Sequence, residues 1–251
     1  DIAWSLNSLA ILLDKTGRAA EAEPLFREAL DIRRAALPAG HPDIAWSLNS
    51  LAILLDKTGR AAEAEPLFRE ALDICRATLP AEHPFVASSL INLAIPLKKA
   101  GRADEAEPLF REALDIWRAT LPAEHPYIAG SLNHLGNLLE NKGRIDEAVP
   151  LYHEALDIWR TALPADHPDI ARSIDYLAVL LSKTGRYDEA GTLYREALDI
   201  RHATLPAGHP DIATSLNNLA SLLKETGRTE EAVALQREAD IIANASRLNA
   251  S

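Results

Sequence analysis

The sequence predicts an all-α protein in which six helical hairpins stack side by side as a solenoid. Three observations support this fold class. The dipeptide His-Pro returns every 42 residues, at His41, His83, His125, His167 and His209. Between these dipeptides, apolar residues recur with helical spacing, and no segment alternates apolar and polar residues as a half-buried strand would. Such a regular period is the signature of a repeat protein.

The period divides the chain into six repeats, which are residues 1–42, 43–84, 85–126, 127–168, 169–210 and 211–251. Repeats one and two are almost copies of each other. They differ only at Arg33/Cys75, Ala36/Thr78 and Gly40/Glu82.

Each repeat is predicted to begin with a helix that ends at a glycine. In repeat one, Leu6, Leu9, Ala10 and Leu13 follow the i, i+3, i+4, i+7 spacing of one helical face. Gly17 comes next, and glycine is preferred just after a helix C-terminus.

A second helix is predicted after the glycine. Leu37 and Pro38 end it, and Gly40-His41-Pro42 turns the chain into the next repeat. The apolar face of this second helix consists of Ala22, Leu25, Phe26, Ala29 and Leu30.

A lone helical hairpin cannot bury its apolar stripe, whereas stacked hairpins bury theirs against each other. We therefore expect residues 1–251 to form a single solenoid domain.

Composition excludes several classes of partner and location. With 47% apolar residues the chain is foldable, but its net charge of -11 would repel nucleic-acid backbones and anionic membrane surfaces. The single cysteine, Cys75, and the absence of a signal peptide or an apolar stretch of about 20 residues favour a cytoplasmic protein. Because methionine is absent, we expect the chain to be a segment of a longer protein.

Catalytic and metal sites are not expected. Histidines on successive turns would lie about 10 Å apart, the packing distance of helices, so they cannot share a zinc ion with ligands about 2 Å away. Charged pairs such as Arg27 with Asp31 recur from repeat to repeat, which favours ion pairs on a solvated helix face over a unique active site. We predict no enzyme activity, no cofactor and no metal.

The repeats resemble the tetratricopeptide repeat. Leu6, Leu9, Ala10 and Leu13 match the large-large-small-large pattern of its first helix, and Gly17 matches its turn glycine. The period exceeds the usual length of about 34 residues, and in this respect the chain resembles the kinesin light chain type of repeat. Residues 106–110 and 216–220 carry that similarity most clearly.

The resemblance implies a right-handed superhelical solenoid whose first helices line a concave groove that takes up peptide segments of partner proteins. A variable stripe on the first helices, Trp4, Asn7, Ile11 and Lys15 in repeat one, would face this groove. The predicted peptide-binding residues are Trp4, Asn7, Ile11, Trp46, Asn49, Ile53, Asn92, Ile95, Asn133, Asn137, Arg172, Lys183 and Asn217.

These residues suggest different roles. The Trp and Ile residues of repeats one to three would anchor bulky side chains, and Asn133, Asn137 and Asn217 would hydrogen-bond an extended backbone. Arg172 and Lys183 would meet acidic groups. The alternative is that the tryptophans pack only between repeats and that the polar positions are merely solvated.

The sequence is also compatible with two other functions. The repeats could be a sensor or regulatory arm of a larger signalling ATPase or protease, or the groove could hide an enzyme site. A phosphate-binding loop before Asp1 would favour the regulatory arm, and one cluster of perturbed acids or histidines would favour the enzyme.

Three positions break the pattern. Pro96 lies where repeat one has Leu12 and should kink its helix. Repeat six has Gln236 and Asp240 at apolar positions and a polar tail at residues 244–251, as expected of a terminal repeat. Repeat one lacks such changes, so its exposed apolar edge should pack against further repeats or associate with another copy.

Overall fold

A computed structural model describes the backbone of residues 2–248 and the side chains of residues 2–244. This part of the chain contains twelve α-helices and no strand. The helices are α1 (Ile2–Lys15), α2 (Ala19–Ala36), α3 (Pro42–Lys57), α4 (Ala61–Thr78), α5 (Pro84–Lys99), α6 (Ala103–Thr120), α7 (Pro126–Asn141), α8 (Ile145–Ala162), α9 (Pro168–Lys183), α10 (Tyr187–Thr204), α11 (Pro210–Glu225) and α12 (Thr229–Leu248). The predicted six hairpins are confirmed, except that Asp1 and the end of the polar tail lie outside the described residues.

The histidines of the His-Pro dipeptides cap the helices that follow them. His41 adopts an extended backbone, and its Nδ1 accepts a hydrogen bond from the Asp43 backbone N–H at 3.2 Å. His83, His125, His167 and His209 do the same for α5, α7, α9 and α11. Proline follows at the first helical position, where its missing N–H leaves no bond unmade. The histidines therefore act as helix caps.

Glycine ends each first helix in a left-handed conformation. Gly143 has φ +74°, and the five equivalent glycines have φ between +76° and +83°. The Arg144 N–H then reaches back to the Leu139 carbonyl at 2.9 Å, which satisfies a carbonyl that the helix leaves unpaired. The chain can therefore turn sharply into the second helix.

The chain divides into an N-terminal unit that ends at Leu121 and a C-terminal unit that begins at Pro122. Each unit contains three hairpins, and within each unit the second helix of one hairpin packs against the first helix of the next. The first helices of neighbouring hairpins also touch, as α1 and α3 do, whereas the described second helices of neighbouring hairpins have no close backbone approach. The first helices therefore line the inner side of the curve in each unit. The single domain across both units stays a prediction.

The predicted packing stripes form the core. In α3, Leu48, Leu51, Ala52 and Leu55 are all at most 1% exposed. Leu9 of α1 is the exception, because it is 48% exposed while its counterpart Leu51 lies beneath α2. No described hairpin covers the outer face of α1, so the predicted exposed apolar edge is present.

Ion pairs connect the second helices across the outer surface. Arg34 binds Glu70 at 2.7 Å and Arg76 binds Glu112 at 2.6 Å, each bridging two successive hairpins. Below the Arg76 bridge lies a furrow of about 310 Å³, whose apolar floor is formed by Leu72, Leu93, Leu97 and Leu109. Such exposed ion pairs contribute little individually to stability. The bridges therefore connect the second helices, while most of the stability comes from the apolar core.

Pro96 does not interrupt its helix. Helix α5 continues through this buried proline to Lys99, and the Ala100 N–H donates to the Pro96 carbonyl at 2.9 Å. Proline also lies inside α2, α4, α6 and α8. The predicted bend of α5 remains a prediction.

Two glycines of the same hairpin should respond to alanine in opposite ways. We expect Gly143→Ala to lower the free energy of unfolding by about 1–2 kcal/mol, because L-residues are strained at positive φ. Gly130→Ala should raise it by about 0.5–1 kcal/mol, because a Cβ there meets no atom within 4 Å and alanine favours the helix. Urea denaturation checks both, and equal effects of the two substitutions would contradict the turn geometry.

Candidate functional site

The predicted binding residues lie on the first helices, and we call this set the inner stripe. It consists of Trp4, Asn7, Ile11, Trp46, Asn49, Ile53, Asn92, Ile95, Asn133, Asn137, Arg172, Lys183 and Asn217. In the N-terminal unit, Trp4 is 60% and Ile53 is 45% exposed, while Ile11, Trp46 and Ile95 are half-buried. Large apolar side chains on the inner side of α1, α3 and α5 thus remain accessible although the adjacent stripes are buried.

The asparagines of the inner stripe divide into two groups. Asn92 and Asn137 are half-buried and Asn217 is exposed. By contrast, Asn7, Asn49 and Asn133 are at most 7% exposed and lie beneath the surface of their units. The side-chain amides of the buried group could reach a peptide backbone only after their neighbours move. Their predicted contact with a peptide is untested.

The two cations of the inner stripe already have partners. Lys183 binds Glu140 at 2.5 Å, and Arg172 binds Asp169 one turn earlier at 2.7 Å. Both cations are more than half exposed, but the Glu140 side chain is only 9% exposed, so water reaches the two cations more easily than it reaches this carboxylate. Lys57–Asp14 and Lys99–Asp56 repeat the first pairing along the N-terminal unit, each at 2.8 Å.

An aromatic cluster supports Glu140 from below. The hydroxyl of Tyr152 donates to Glu140 at 3.1 Å, and its ring stacks on Tyr176 with centroids 5.6 Å apart. Burial raises the pKa of Tyr152 well above its usual range, and the Glu140 carboxylate adds to this effect. Gly136 makes room for the ring, since a Cβ at that position would lie 3.0 Å from it. The Lys183–Glu140 pair is thereby connected to the core of the C-terminal unit.

A buried polar layer lies under the inner stripe. Each repeat boundary brings together three positions: an inner-stripe residue equivalent to Asn7, a second-helix residue equivalent to Arg33, and a serine equivalent to Ser47. The serine is invariant and occurs as Ser5, Ser47, Ser89, Ser131, Ser173 and Ser215. The other two positions change from repeat to repeat, so the chemistry of the layer changes with them.

Repeat five contains a version of this layer in which the arginine is paired with a carboxylate. Asp175 and Arg201 form an ion pair at 2.5 Å with both side chains almost buried, and Arg201 also donates to Ser215. Burial raises the pKa of Asp175, and the hydrogen bond from Arg201 opposes that shift. The arginine charge is therefore balanced inside the unit by a carboxylate.

Repeat one contains the same arginine without the carboxylate. Arg33 donates to Ser47 Oγ at 2.7 Å and to the Asp43 carbonyl at 3.1 Å, but Asn7 replaces the aspartate. Among the described residues, neither amide atom of Asn7 has a hydrogen-bond partner, and neither does Nε of Arg33. The Trp46 ring lies over the guanidinium of Arg33, with its centroid 4.8 Å from the guanidinium carbon.

Smaller or neutral residues complete the layer in other repeats. Asn49 donates to Ser89 at 3.1 Å, and the Sγ of Cys75 lies 3.5 Å from the same hydroxyl. Burial raises the pKa of the Cys75 thiol, which is the opposite of what a reactive cysteine needs. In repeat four, Ser173 donates to Asn133 at 3.5 Å beside the buried Trp159.

Sequence reasoning missed Arg33, Arg201 and the serines of the polar layer. A signal was available, because a serine recurs at the same helix position in all six repeats, and because Arg33/Cys75 is one of only three differences between repeats one and two. The sequence does not predict the ion pair between Asp175 and Arg201, because the two residues lie on different helices, 26 positions apart.

These observations define a helical-repeat protein with a chemically variable inner surface, and the sequence matches the family model of the tetratricopeptide repeat. The matches cover residues 1–77, 43–119, 85–161, 127–201 and 173–239. The chain therefore belongs to the tetratricopeptide repeat family, whose members generally are non-enzymatic scaffolds for protein–protein interaction. No helix in the described part of the chain is long and apolar enough to cross a membrane.

Solved structures place the repeats among kinesin light chain-like proteins. One is a putative kinesin light chain of Podosopora anserina with nearly identical TPR-like repeats. It has 29% identity and a TM-score of 0.72, over 82% of this chain and 98% of that one. BtubC (BKLC) from P. vanneervenii has 21% identity and a TM-score of 0.72, over 98% of this chain and 93% of that one. The latter similarity concerns the fold alone, and no curated protein matches the sequence.

The buried ion pair of repeat five should depend on its carboxylate. We expect Asp175→Asn to destabilise the C-terminal unit by about 3 kcal/mol, because Arg201 would remain buried without a counter-charge. The double variant Asp175→Asn with Arg201→Cys should recover most of this loss, since it reproduces the Asn49, Cys75 and Ser89 layer of repeat two. Chemical denaturation measures both, and a fully stable single variant would contradict the role of the pair.

Proposed function

We propose that the protein is a scaffold that binds segments of a partner protein along the inner stripe, and that the N-terminal unit provides an apolar binding surface. The observation that carries the proposal is the accessible set of Trp4, Ile11, Trp46, Ile53 and Ile95 on the inner side of three adjacent helices. Buried aromatic anchors dominate the energy of most protein interfaces.

The comparison of repeats supports a binding role over a packing role. The packing stripe keeps Leu, Ala and Leu in almost every repeat, whereas the position of Trp4 becomes Trp46, Ser88, Gly130, Arg172 and Thr214. A position that packed between repeats would need a side chain of similar size in each. These differences instead suit binding surfaces whose chemistry changes from repeat to repeat.

The C-terminal unit provides a polar binding surface on its own part of the inner stripe. Asn137, Arg172, Lys183 and Asn217 offer amides and cations there, and they would suit the backbone and acidic side chains of a bound segment. A cytoplasmic location, which the unpaired thiol of Cys75 favours, is part of the same proposal. The partner is a protein or peptide, without a role for nucleic acid, cofactor or metal.

Selection from a displayed peptide library tests the inner stripe. In the variant Trp46→Ser with Ile53→Asn, repeat two receives the side chains that repeats three and four carry at these positions, as Ser88 and Asn137. We expect selected peptides to bind this variant at least about tenfold more weakly, because truncating an aromatic anchor costs 2 kcal/mol or more. Asp73→Asn, on the exposed surface of α4, is the control that should leave affinity unchanged. Equal binding to all three proteins would refute the proposal.

The outer face of α1 supports a second interaction, with another copy of the chain. Leu9 and Leu12 are 48% and 58% exposed, whereas their counterparts Leu51 and Leu54 are at most 2% exposed. At the other end, α12 presents the exposed polar residues Gln236 and Asp240. If two copies stacked head to tail, the polar face of α12 in one copy would lie on the apolar face of α1 in the other. We therefore expect the α1 faces of two copies to pack against each other.

Sedimentation velocity over a range of concentrations tests this association. We expect a dimer that Leu12→Glu converts to a monomer, since fully burying a leucine contributes about 1.5–3 kcal/mol and a buried carboxylate would remove that gain. Ile241→Glu, at a position of α12 that is 69% exposed, should leave the dimer intact. A monomer at every concentration would exclude the association.

A further inference from the structure

Repeat one contains a buried cation whose counter-charge is missing. Arg33 is 4% exposed, and in the described part of the chain no carboxylate lies within ion-pair distance of its guanidinium. Asp43 influences it electrostatically, but the Asp43 side chain is 53% exposed and is turned toward His41. Burial accordingly lowers the pKa of Arg33. Burying a charge without a partner is costly, so the cluster around Arg33 is incomplete in this state.

Repeat five identifies the missing group. Asp175, Arg201 and Ser215 occupy the same repeat positions as Asn7, Arg33 and Ser47. In repeat five the arginine binds the serine hydroxyl and the aspartate carboxylate together. In repeat one the serine contact is retained at 2.7 Å, while both amide atoms of Asn7 and the Arg33 Nε lack partners. The partnerless groups of repeat one therefore lie at the repeat position where repeat five has the Asp175 carboxylate.

Trp46 covers this incomplete cluster. Its ring lies 4.8 Å from the Arg33 guanidinium carbon, and a cation over an aromatic face is attracted to it. The residue at the equivalent position of repeat six is Thr214, so the paired Arg201 has no such cover. Trp46 is half-buried on the inner stripe, where a bound segment would contact it. Rotation of this side chain would remove the ring from the guanidinium.

We propose that Arg33, Asn7 and Ser47 form a carboxylate-binding site that receives an Asp or Glu side chain of the segment bound along the inner stripe, with Trp46 as its movable cover. The carboxylate accepts hydrogen bonds from the Arg33 Nε, the Asn7 amide and the Ser47 hydroxyl. A single cation matches a singly charged carboxylate better than a doubly charged phosphate. This inference rests on the proposed peptide-binding function and specifies the chemistry of its ligand.

Three substitutions taken from the chain's own repeats test the site. Arg33→Cys gives repeat one the residue that repeat two carries at Cys75, in a nearly identical sequence. Asn7→Asp supplies an internal carboxylate, as Asp175 does in repeat five, and should occupy the site. Cys75→Arg builds a second cluster with Asn49 and Ser89, where Ser88 replaces the tryptophan cover.

Two probes are used with the wild-type protein and these variants. The first is sodium acetate, with sodium chloride at equal ionic strength as the control, followed by the indole N–H resonance of Trp46 in NMR spectra. The second is a pair of displayed peptide libraries that differ only in a central Glu or Gln. We expect acetate to shift the Trp46 resonance, and the Glu library to yield binders about tenfold to a hundredfold tighter than their Gln counterparts, the range for a hydrogen-bonded buried charge.

The variants separate this inference from the groove proposal. Loss of the Glu preference and of the acetate shift in Arg33→Cys and Asn7→Asp, with a stronger Glu preference in Cys75→Arg, supports the site. Peptides that bind with no Glu preference would overturn the carboxylate site and leave the scaffold function standing. An acetate shift that Arg33→Cys abolishes, without peptide binding, supports the site and overturns the groove. Absence of both effects overturns the inference.

Discussion

The structure depends on one packing constraint: the second helix of each hairpin covers the first helix of the next. Leu51 is buried because α2 lies over it, and its counterpart Leu9 is exposed because no described hairpin precedes α1. Sequence identity between the two repeats is nearly complete, so the difference in burial comes from position alone. In such repeat proteins each interface contributes separately to stability, and within the described residues the first hairpin makes one such interface, between α2 and α3.

The same constraint separates a conserved surface from a variable one. Within each unit the first helices of neighbouring hairpins touch, whereas the described second helices do not approach each other closely. One side of each first helix therefore faces the inside of its unit. Residues on this side escape the packing requirement, so Trp4, Ser88 and Arg172 can occupy equivalent positions. A family of scaffolds can therefore change its ligand without changing its core, which is the physical basis of the proposed binding role.

The polar layer is the place where packing and recognition meet. Arg201 is neutralised by Asp175 within its own unit, whereas Arg33 has a serine, an asparagine and an aromatic cover. The residues of the two clusters occupy equivalent repeat positions, and the carboxylate of Asp175 has no counterpart in repeat one, where Asn7 stands. A buried unsatisfied cation is expensive wherever it occurs, and its persistence in repeat one is the reason to assign it a ligand rather than a purely structural role.

The amino-acid sequence by itself determined the period, the twelve helices, their glycine and His-Pro boundaries and the leucine core, because each of these follows from local spacing and capping. It also separated the inner stripe from the packing stripe. Only the tertiary structure decided that Asn7, Asn49 and Asn133 lie buried, that Lys183 and Arg172 are paired, and that Arg33 lacks a carboxylate. These features depend on which side chains of successive helices meet, and helical spacing within one repeat contains no information about that meeting.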